Sequence, residues 1–350
     1  MKFLDTIKNT YRDVKDIVGD KVKPIPVIKA TMMGPRGVGK TSVMASIFSD
    51  TKESVAGTKL YFRPSEVSSS ELINKRMALM NMFEKRVNPT DAPQTGAISA
   101  TNTVSSFGFE MGFAGRKKTV DIEIKDFPGE YLVSKPQEVA DFIAESHVVM
   151  IAIDTPYLME DGGLYNEEKN DIKRVEGFLM QNADVLKNKM ILLIPLKSER
   201  YFHDNRMEEV SNAVKSAYSN LIGFCKTCNV ACAITPIQTL GGVEFDCFES
   251  NNALDSVSKL SKYRFYKTKP EYQPLFCVQP LYYLLTYIGC YYEWSTLQPQ
   301  TIVDKLRNSI VSLLKDNDEF FAEIKNISKN IVVDKLGYTI IAKNEIFNLN

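Results

Sequence analysis

An excess of charge of either sign is what this 350-residue chain lacks most plainly, since 43 Lys and Arg balance 43 Asp and Glu. A chain without net charge has no general attraction for a polyanion, so a broadly basic nucleic-acid surface is excluded and only a local patch is left open. Histidine is scarce too. His147 and His203 are the only two, and one Trp is present. The spacing Cys225, Cys228, Cys232 invites a metal reading, but two histidines and the scattered Cys247, Cys277 and Cys290 do not supply the second half of a zinc site. These cysteines read as small hydrophobes of helix and strand, and six in a chain of this length do not make a secreted disulfide scaffold. Long apolar runs are missing as well. The longest stretch, residues 275–294, is interrupted by Gln279 and Pro280, and the portion from Pro280 onward is shorter than the roughly 20 residues that a bilayer requires. Residues 1–20 mix both charges and hold no apolar signal-peptide core. The expectation is a cytoplasmic protein in a reducing compartment.

What is present is a phosphate loop. Gly34, Pro35, Arg36, Gly37, Val38, Gly39, Lys40 and Thr41 spell GxxxxGK[ST], followed by Ser42, directly after the β-like residues 26–33. Three glycines let successive backbone N–H groups turn inward toward phosphate oxygens. The helix that starts near Lys40 adds the positive end of its dipole. Lys40 is placed to reach the β- and γ-phosphates, and the Thr41 hydroxyl to ligate Mg²⁺. Val43, Met44, Ile47 and Phe48 supply the helix that the motif needs. The loop implies a nucleoside triphosphate with Mg²⁺.

Residues 1–19 carry Phe3, Leu4, Ile7, Tyr11, Val14, Ile17 and Val18 at helical spacing, which predicts an amphipathic helix over 1–22 that docks on the domain or on a partner. An insertion of about 51–100 follows the phosphate-loop helix. It contains a helix over 69–87 and a loop rich in Pro, Gly, Thr, Ser and Asn. Strands are expected over 104–113 and 119–126, then a helix over 137–146 and an apolar strand over 148–153 that ends in Asp154. Helix 166–188, strand 190–195, helix 205–228 and strand 230–235 continue the alternation. That order predicts an α/β three-layer sandwich around a mostly parallel sheet, the P-loop NTPase architecture, over residues 23–298. Segments 242–248 and 263–269 are suited to pair as a strand insertion. Helix 280–294 is ringed by Tyr282, Tyr283, Tyr287, Tyr291 and Tyr292, which suggests burial plus a contact surface. Residues 299–350 read as a helical extension with two amphipathic helices and a short strand over 338–342. There is no internal repeat and no low-complexity segment.

A second constellation is Asp126, Phe127, Pro128, Gly129, Glu130 and Tyr131. An acid at a strand end followed three residues later by Gly is the DxxG arrangement of nucleotide switches, in which Asp126 holds Mg²⁺ through water and the Gly129 N–H senses the γ-phosphate. Asp154 also ends an apolar strand and is an alternative metal acid for an ATPase or a kinase. Asp126 is preferred because the DxxG follows it.

Over residues 25–295 these motifs resemble the TRAFAC class of GTPases, which includes Ras-like switches. In that class a [NT]KxD motif reads guanine. Here Leu196, Lys197, Ser198 and Glu199 keep the lysine and replace the aspartate with glutamate, while Thr235 matches the loose SAK motif. The resemblance implies that Lys197 lies over the base and that Glu199 accepts its N1–H and N2–H. It also puts Glu130 where the water-orienting Gln stands, and Arg36 at a position that is usually Gly. Arg36 then either supplies charge in cis or points to solvent or a switch acid. Thr101 completes the Mg²⁺ shell, with Thr103 and Thr95 as the other candidates. The combination looks most like the divergent double-GTPase-type domains of prokaryotic conflict systems, which implies a partner protein engaged through switch segments, the tyrosine-rich helix or the C-terminal helices. The leading expectation is a slow GTP-hydrolysing switch. An ATPase, a non-hydrolysing nucleotide-stabilised interaction module and, last, a small-acceptor kinase are the alternatives.

Overall fold

The computed structural model describes residues 25–49, 55–84, 104–250, 259–266, 271–297, 311 and 317–347. The expected helix over 1–22 and, apart from residue 311, the first of the two amphipathic helices expected in 299–350 (Ile302, Val303, Leu306, Ile310 and Leu313) fall outside them, as do Thr95, Thr101 and Thr103. Among the described residues no helix is long and apolar enough to cross a membrane.

Eight strands form one sheet in the order β10-β7-β6-β5-β1-β4-β3-β2. β1 (Val27–Met33), β4 (Lys118–Asp126), β5 (Val148–Asp154), β6 (Met190–Leu196) and β7 (Ala231–Ile234) run parallel. β3 (Ser105–Phe113) joins β4 as an antiparallel hairpin, β2 (Leu60–Pro64) adds to β3, and β10 (Thr339–Ala342) closes the other edge antiparallel to β7. β5 and β6 are buried along their whole length, as a parallel strand covered on both faces must be. The α/β three-layer sandwich with a mostly parallel sheet is therefore the observed fold.

Alternation along each strand divides the core. Ala30, Met32, Ile124, Met150, Ala152, Leu192 and Ile194 face helices Lys40–Ser49, Gln279–Thr296 and Asp318–Ser328. Met33, Val149, Ile151, Ile153, Ile191 and Leu193 face helices Pro136–Glu145, Ile172–Gln181, Met207–Ala217 and Ser219–Thr227. Each such Val, Leu, Ile or Met side chain contributes about 1.5–3 kcal/mol by leaving water.

Several elements differ from the pattern-based expectation. The single helix over 166–188 is three pieces, broken at Asp171, which takes a left-handed φ of 52°, and again at Asn182, with φ −107° and ψ 36°. The helix over 205–228 breaks at Tyr218. β2 lies inside the expected insertion, where apolar spacing predicts only a helix; its short run Leu60, Tyr61, Phe62 is completed by pairing with β3. The insertion helix itself spans Glu66–Glu84. The tyrosine-rich helix offers no ring of tyrosines to a partner. Tyr282, Tyr283, Tyr287 and Tyr291 are buried against the sheet and Phe347, and Tyr292 packs edge-on to Phe321 at 5.2 Å.

β8 (Val243–Ser250) and β9 (Lys259–Phe265) pair as a separate antiparallel hairpin, in agreement with the expected strand insertion.

Candidate functional site

β1 lies between β4 and β5, and the chain leaves these strands in opposite directions across the sheet. In open α/β sheets the crevice beyond the carboxyl ends at such a point is where ligands bind. The phosphate loop occupies it. Gly34 has φ 142°, and a Cβ there would stand 2.6 Å from the Ala152 carbonyl oxygen of β5, so no other residue fits between the two strands. Gly37 and Gly39 take φ of 76° and 113°. Lys40 opens helix Lys40–Ser49 and is buried; its Nζ donates to the carbonyl oxygens of Gly34 at 3.0 Å and Pro35 at 3.1 Å. The ammonium is thus drawn back over its own loop. Burial lowers the Lys40 pKa, and the neighbouring Asp126 opposes that shift. Thr41 and Val38 are buried, Pro35 and Ser42 half-buried, and Arg36 and Gly37 exposed at the tip.

Asp126 ends β4 opposite Met32 of β1 and Ser105 of β3. It is 1% exposed, yet among the described residues neither carboxylate oxygen has a hydrogen-bond partner of ordinary geometry, and Lys40 Nζ stands 3.7 Å from Oδ1. Burial raises its pKa; Lys40, Lys75 and the Thr41 hydroxyl favour its charged form. A buried carboxylate with unused lone pairs beside a hydroxyl is a hard-oxygen donor set, and it fits Mg²⁺. Phe127 anchors the next turn: its N–H donates to Met32 at 3.1 Å, and its ring packs 5.8 Å from Phe142 and 6.3 Å from Tyr131. Gly129 then faces the loop so closely that a Cβ would lie 3.3 Å from the Gly34 carbonyl oxygen. Glu130 is exposed at the start of helix Tyr131–Ser134.

No sequence motif singles out Lys75. It sits on the insertion helix, paired with Glu71 at 2.5 Å and 4.9 Å from the Phe107 ring centre on β3. Phe107 is two residues from the partner of Asp126, on the same face of the sheet. An i,i+4 acid–base pair is its only signal in the sequence.

Lys197, Glu199 and Thr235 also gather at the carboxyl ends of their strands; the side chains of Lys197 and Glu199 have partners within the chain, whereas the buried Thr235 hydroxyl has no hydrogen-bond partner among the described residues. Lys197 turns the chain with φ 57°, and its Nζ donates to Asp154 Oδ2 at 2.5 Å. Burial alone would lower the Lys197 pKa; Asp154, and then Tyr263, hold it well above its ordinary value. Glu199 is buried, and its Oε1 accepts the N–H of Leu240 at 3.0 Å and of Gly241 at 3.4 Å. Burial raises its pKa against those backbone bonds. Thr235 is fully buried, and its N–H donates to Leu193. Asp154, the alternative metal acid by its place at a strand end, is the counter-ion of Lys197.

Among the described residues no cluster of three or more His, Cys, Asp or Glu is arranged to hold a metal. Cys225 and Cys232 lie in the apolar core, while Cys228 is exposed.

No family profile and no curated protein matches the chain. It is similar to the S. cerevisiae Ski7 GTPase-like domain bound to GDP and inorganic phosphate, at 14% identity and TM-score 0.39 over 81% of this chain and 53% of that one. It is also similar to LeoA, a bacterial dynamin GTPase from ETEC, at 12% identity and TM-score 0.30 over 87% and 38%. A bacterial selenocysteine-specific elongation factor, EF-Sec, matches at 13% identity and TM-score 0.27 over 61% and 25%. The chain spans about half or less of each of these structures. Similarity this weak bears on no residue assignment.

Proposed function

We propose that this chain binds a nucleoside triphosphate with Mg²⁺, hydrolyses it slowly, and acts as a cytoplasmic switch on a partner protein, as its resemblance to conflict-system GTPases implies. The observation that carries the reading is Asp126, a buried carboxylate with no hydrogen-bond partner of ordinary geometry among the described residues, 3.7 Å from the phosphate-loop lysine.

The loop N–H groups of residues 36–41 cradle the phosphates, and Lys40 exchanges the carbonyls of Gly34 and Pro35 for phosphate oxygens. Thr41 and Asp126 would hold Mg²⁺, with Thr101, Thr103 or Thr95 as the further ligand that the resemblance implies. When bound, the cation neutralises charge on the β- and γ-phosphates. Gly129, pressed against the loop, offers its N–H to the γ-phosphate, and its displacement on hydrolysis would move the helix that Glu130 begins. Glu130 is exposed and free of the core, in reach of solvent as an acceptor for the attacking water's proton. Arg36, exposed at the loop tip, is the cation available in cis.

The resemblance implies GTP, with the base read through Lys197, Glu199 and Thr235. The bonds from Leu240 and Gly241 to Glu199 favour a second reading, an ATPase with the same phosphate site. The test is Mg²⁺-dependent binding and phosphate release with GTP and ATP for the wild type and Asp126→Ala. The reading expects binding and release that depend on Asp126. Binding without release supports the non-hydrolysing module, and no binding of either nucleotide overturns the reading.

A further inference from the structure

The corner where the resemblance puts the base is already filled by the chain itself. Lys197, expected to lie over a purine, instead has the ring of Tyr263 from β9, with the ammonium 5.6 Å from the ring centre. A tyrosine ring presents the same kind of flat, electron-rich face that a base would offer a cation. Glu199, expected to accept two N–H groups from a guanine edge, accepts two N–H groups from the backbone at Leu240 and Gly241. Ring and edge are both replaced from within.

The replacement is fixed rather than loosely laid over the site. Gly241 has φ 74°, and a Cβ there would lie 1.9 Å from the Gln273 carbonyl oxygen, so the turn that aims both N–H groups at Glu199 admits only glycine. Gln238 and Leu275 exchange two backbone bonds beside it, at 3.0 and 2.9 Å, and Ser46 of the phosphate-loop helix donates to Thr239 at 3.1 Å. The hairpin is fastened to the helix that Glu199 opens. Glu244 on β8 meets His203 at 3.0 Å and Arg264 at 2.8 Å, Arg200 donates to the Asp246 carbonyl, and Tyr266 stacks on His203 with centroids 3.5 Å apart. Phe248 stacks on Tyr157 at 4.9 Å. On the other side Phe265 packs 5.7 Å from Phe83, near the end of the insertion helix.

We propose that the β8–β9 hairpin and the turn before it are an internal mimic of guanine, so that nucleoside triphosphates are held by their phosphates and Mg²⁺ and the protein does not discriminate GTP from ATP. The proposal rests on the reading of the phosphate loop as a nucleotide site. Specificity for guanine is then a latent property of Lys197 and Glu199, expressed only when the mimic is removed.

The experiment is competition among GTP, ATP and inorganic tripolyphosphate, all with Mg²⁺, on the full chain and on Tyr263→Ala and Tyr263→Phe. The wild type is expected to bind GTP and ATP within about threefold of each other, with tripolyphosphate displacing both. Tyr263→Ala opens the ring position but leaves both backbone bonds on Glu199, so it strengthens GTP and ATP alike over tripolyphosphate by about tenfold or more, while Tyr263→Phe, which keeps the ring, behaves as the wild type. A wild-type preference for GTP of about tenfold or more overturns the proposal. So does a folded Tyr263→Ala in which neither nucleotide gains on tripolyphosphate. The wild-type comparison needs no variant, so a Tyr263→Ala that fails to fold leaves it decisive. Failure of all three ligands to bind is a different outcome, which removes the phosphate-loop reading and this proposal together.

Discussion

Lys40 and Asp126 face each other across the end of the sheet with Nζ and Oδ1 3.7 Å apart, too far for a hydrogen bond and close enough for each to govern the other's charge. Both are buried, and neither is satisfied by the other. Such an arrangement destabilises the ligand-free chain and is relieved by an anion on the lysine and a cation on the aspartate.

Asp126→Asn is therefore expected to raise the melting temperature of the ligand-free protein while abolishing stabilisation by Mg²⁺ with nucleotide. The pH dependence has a definite sign. Burial raises the Asp126 pKa, so between the ordinary and the raised value the folded chain holds more protons than the unfolded one, and stability falls as pH rises through that window. Asn at 126 removes that share of the slope, as calorimetric melts from acidic to neutral pH would show.

Lys40→Ala removes an ammonium aimed by two carbonyls at the phosphate cradle. Charge-assisted hydrogen bonds contribute about 1.5–3 kcal/mol, so tripolyphosphate affinity is expected to fall by roughly tenfold to a hundredfold or more. Titration calorimetry checks it. Unchanged affinity would remove Lys40 from the phosphate site.

Gly34→Ala and Gly37→Ala separate packing from backbone strain. Both positions have positive φ, for which a Cβ costs about 1–2 kcal/mol. At Gly37 no described residue lies within 4 Å of the new methyl, whereas at Gly34 it meets the Ala152 oxygen at 2.6 Å. Urea unfolding should show Gly34→Ala to be much the more destabilising.

Lys197→Met leaves Asp154 buried and unpaired, a loss of about 3–5 kcal/mol. Adding Asp154→Leu should restore most of it, because the charge requiring a partner is gone. A double-mutant cycle in denaturant measures the coupling.

Cys228 and Cys247 are exposed and should alkylate rapidly in the native protein, while Cys225, Cys232 and Cys277 react only on unfolding. The bond with Cys225, and then burial, push the Cys232 thiol up, away from the reactive thiolate. Mass spectrometry after brief iodoacetamide treatment reads each site.

Local chemistry was legible in the sequence wherever a residue's neighbours in space are its neighbours in the chain. The glycines and Lys40 of the phosphate loop, the strand that ends in Asp126, and the alternation of strands and helices are of this kind, since a strand–loop–helix unit builds its cradle from a dozen consecutive residues. The breaks at Asp171 and Tyr218 were not legible, because apolar spacing continues across them and only the docking of separate pieces on the sheet ends the helix. The buried tyrosines of Gln279–Thr296 belong to the same class: whether a ring faces solvent or Phe347 is decided by what returns to cover it.

The sequence by itself determined the α/β alternation and a phosphate loop that pairs with an acid at the end of β4, because periodicity and glycine geometry act within a few residues. Only the tertiary structure decided that Lys197 meets Asp154, that Glu199 meets the turn at Leu240 and Gly241, and that the ring of Tyr263 lies against Lys197. Those partners lie about 40 residues or more apart in the chain, and burial of a charge selects its partner by proximity in the fold, not by order in the sequence.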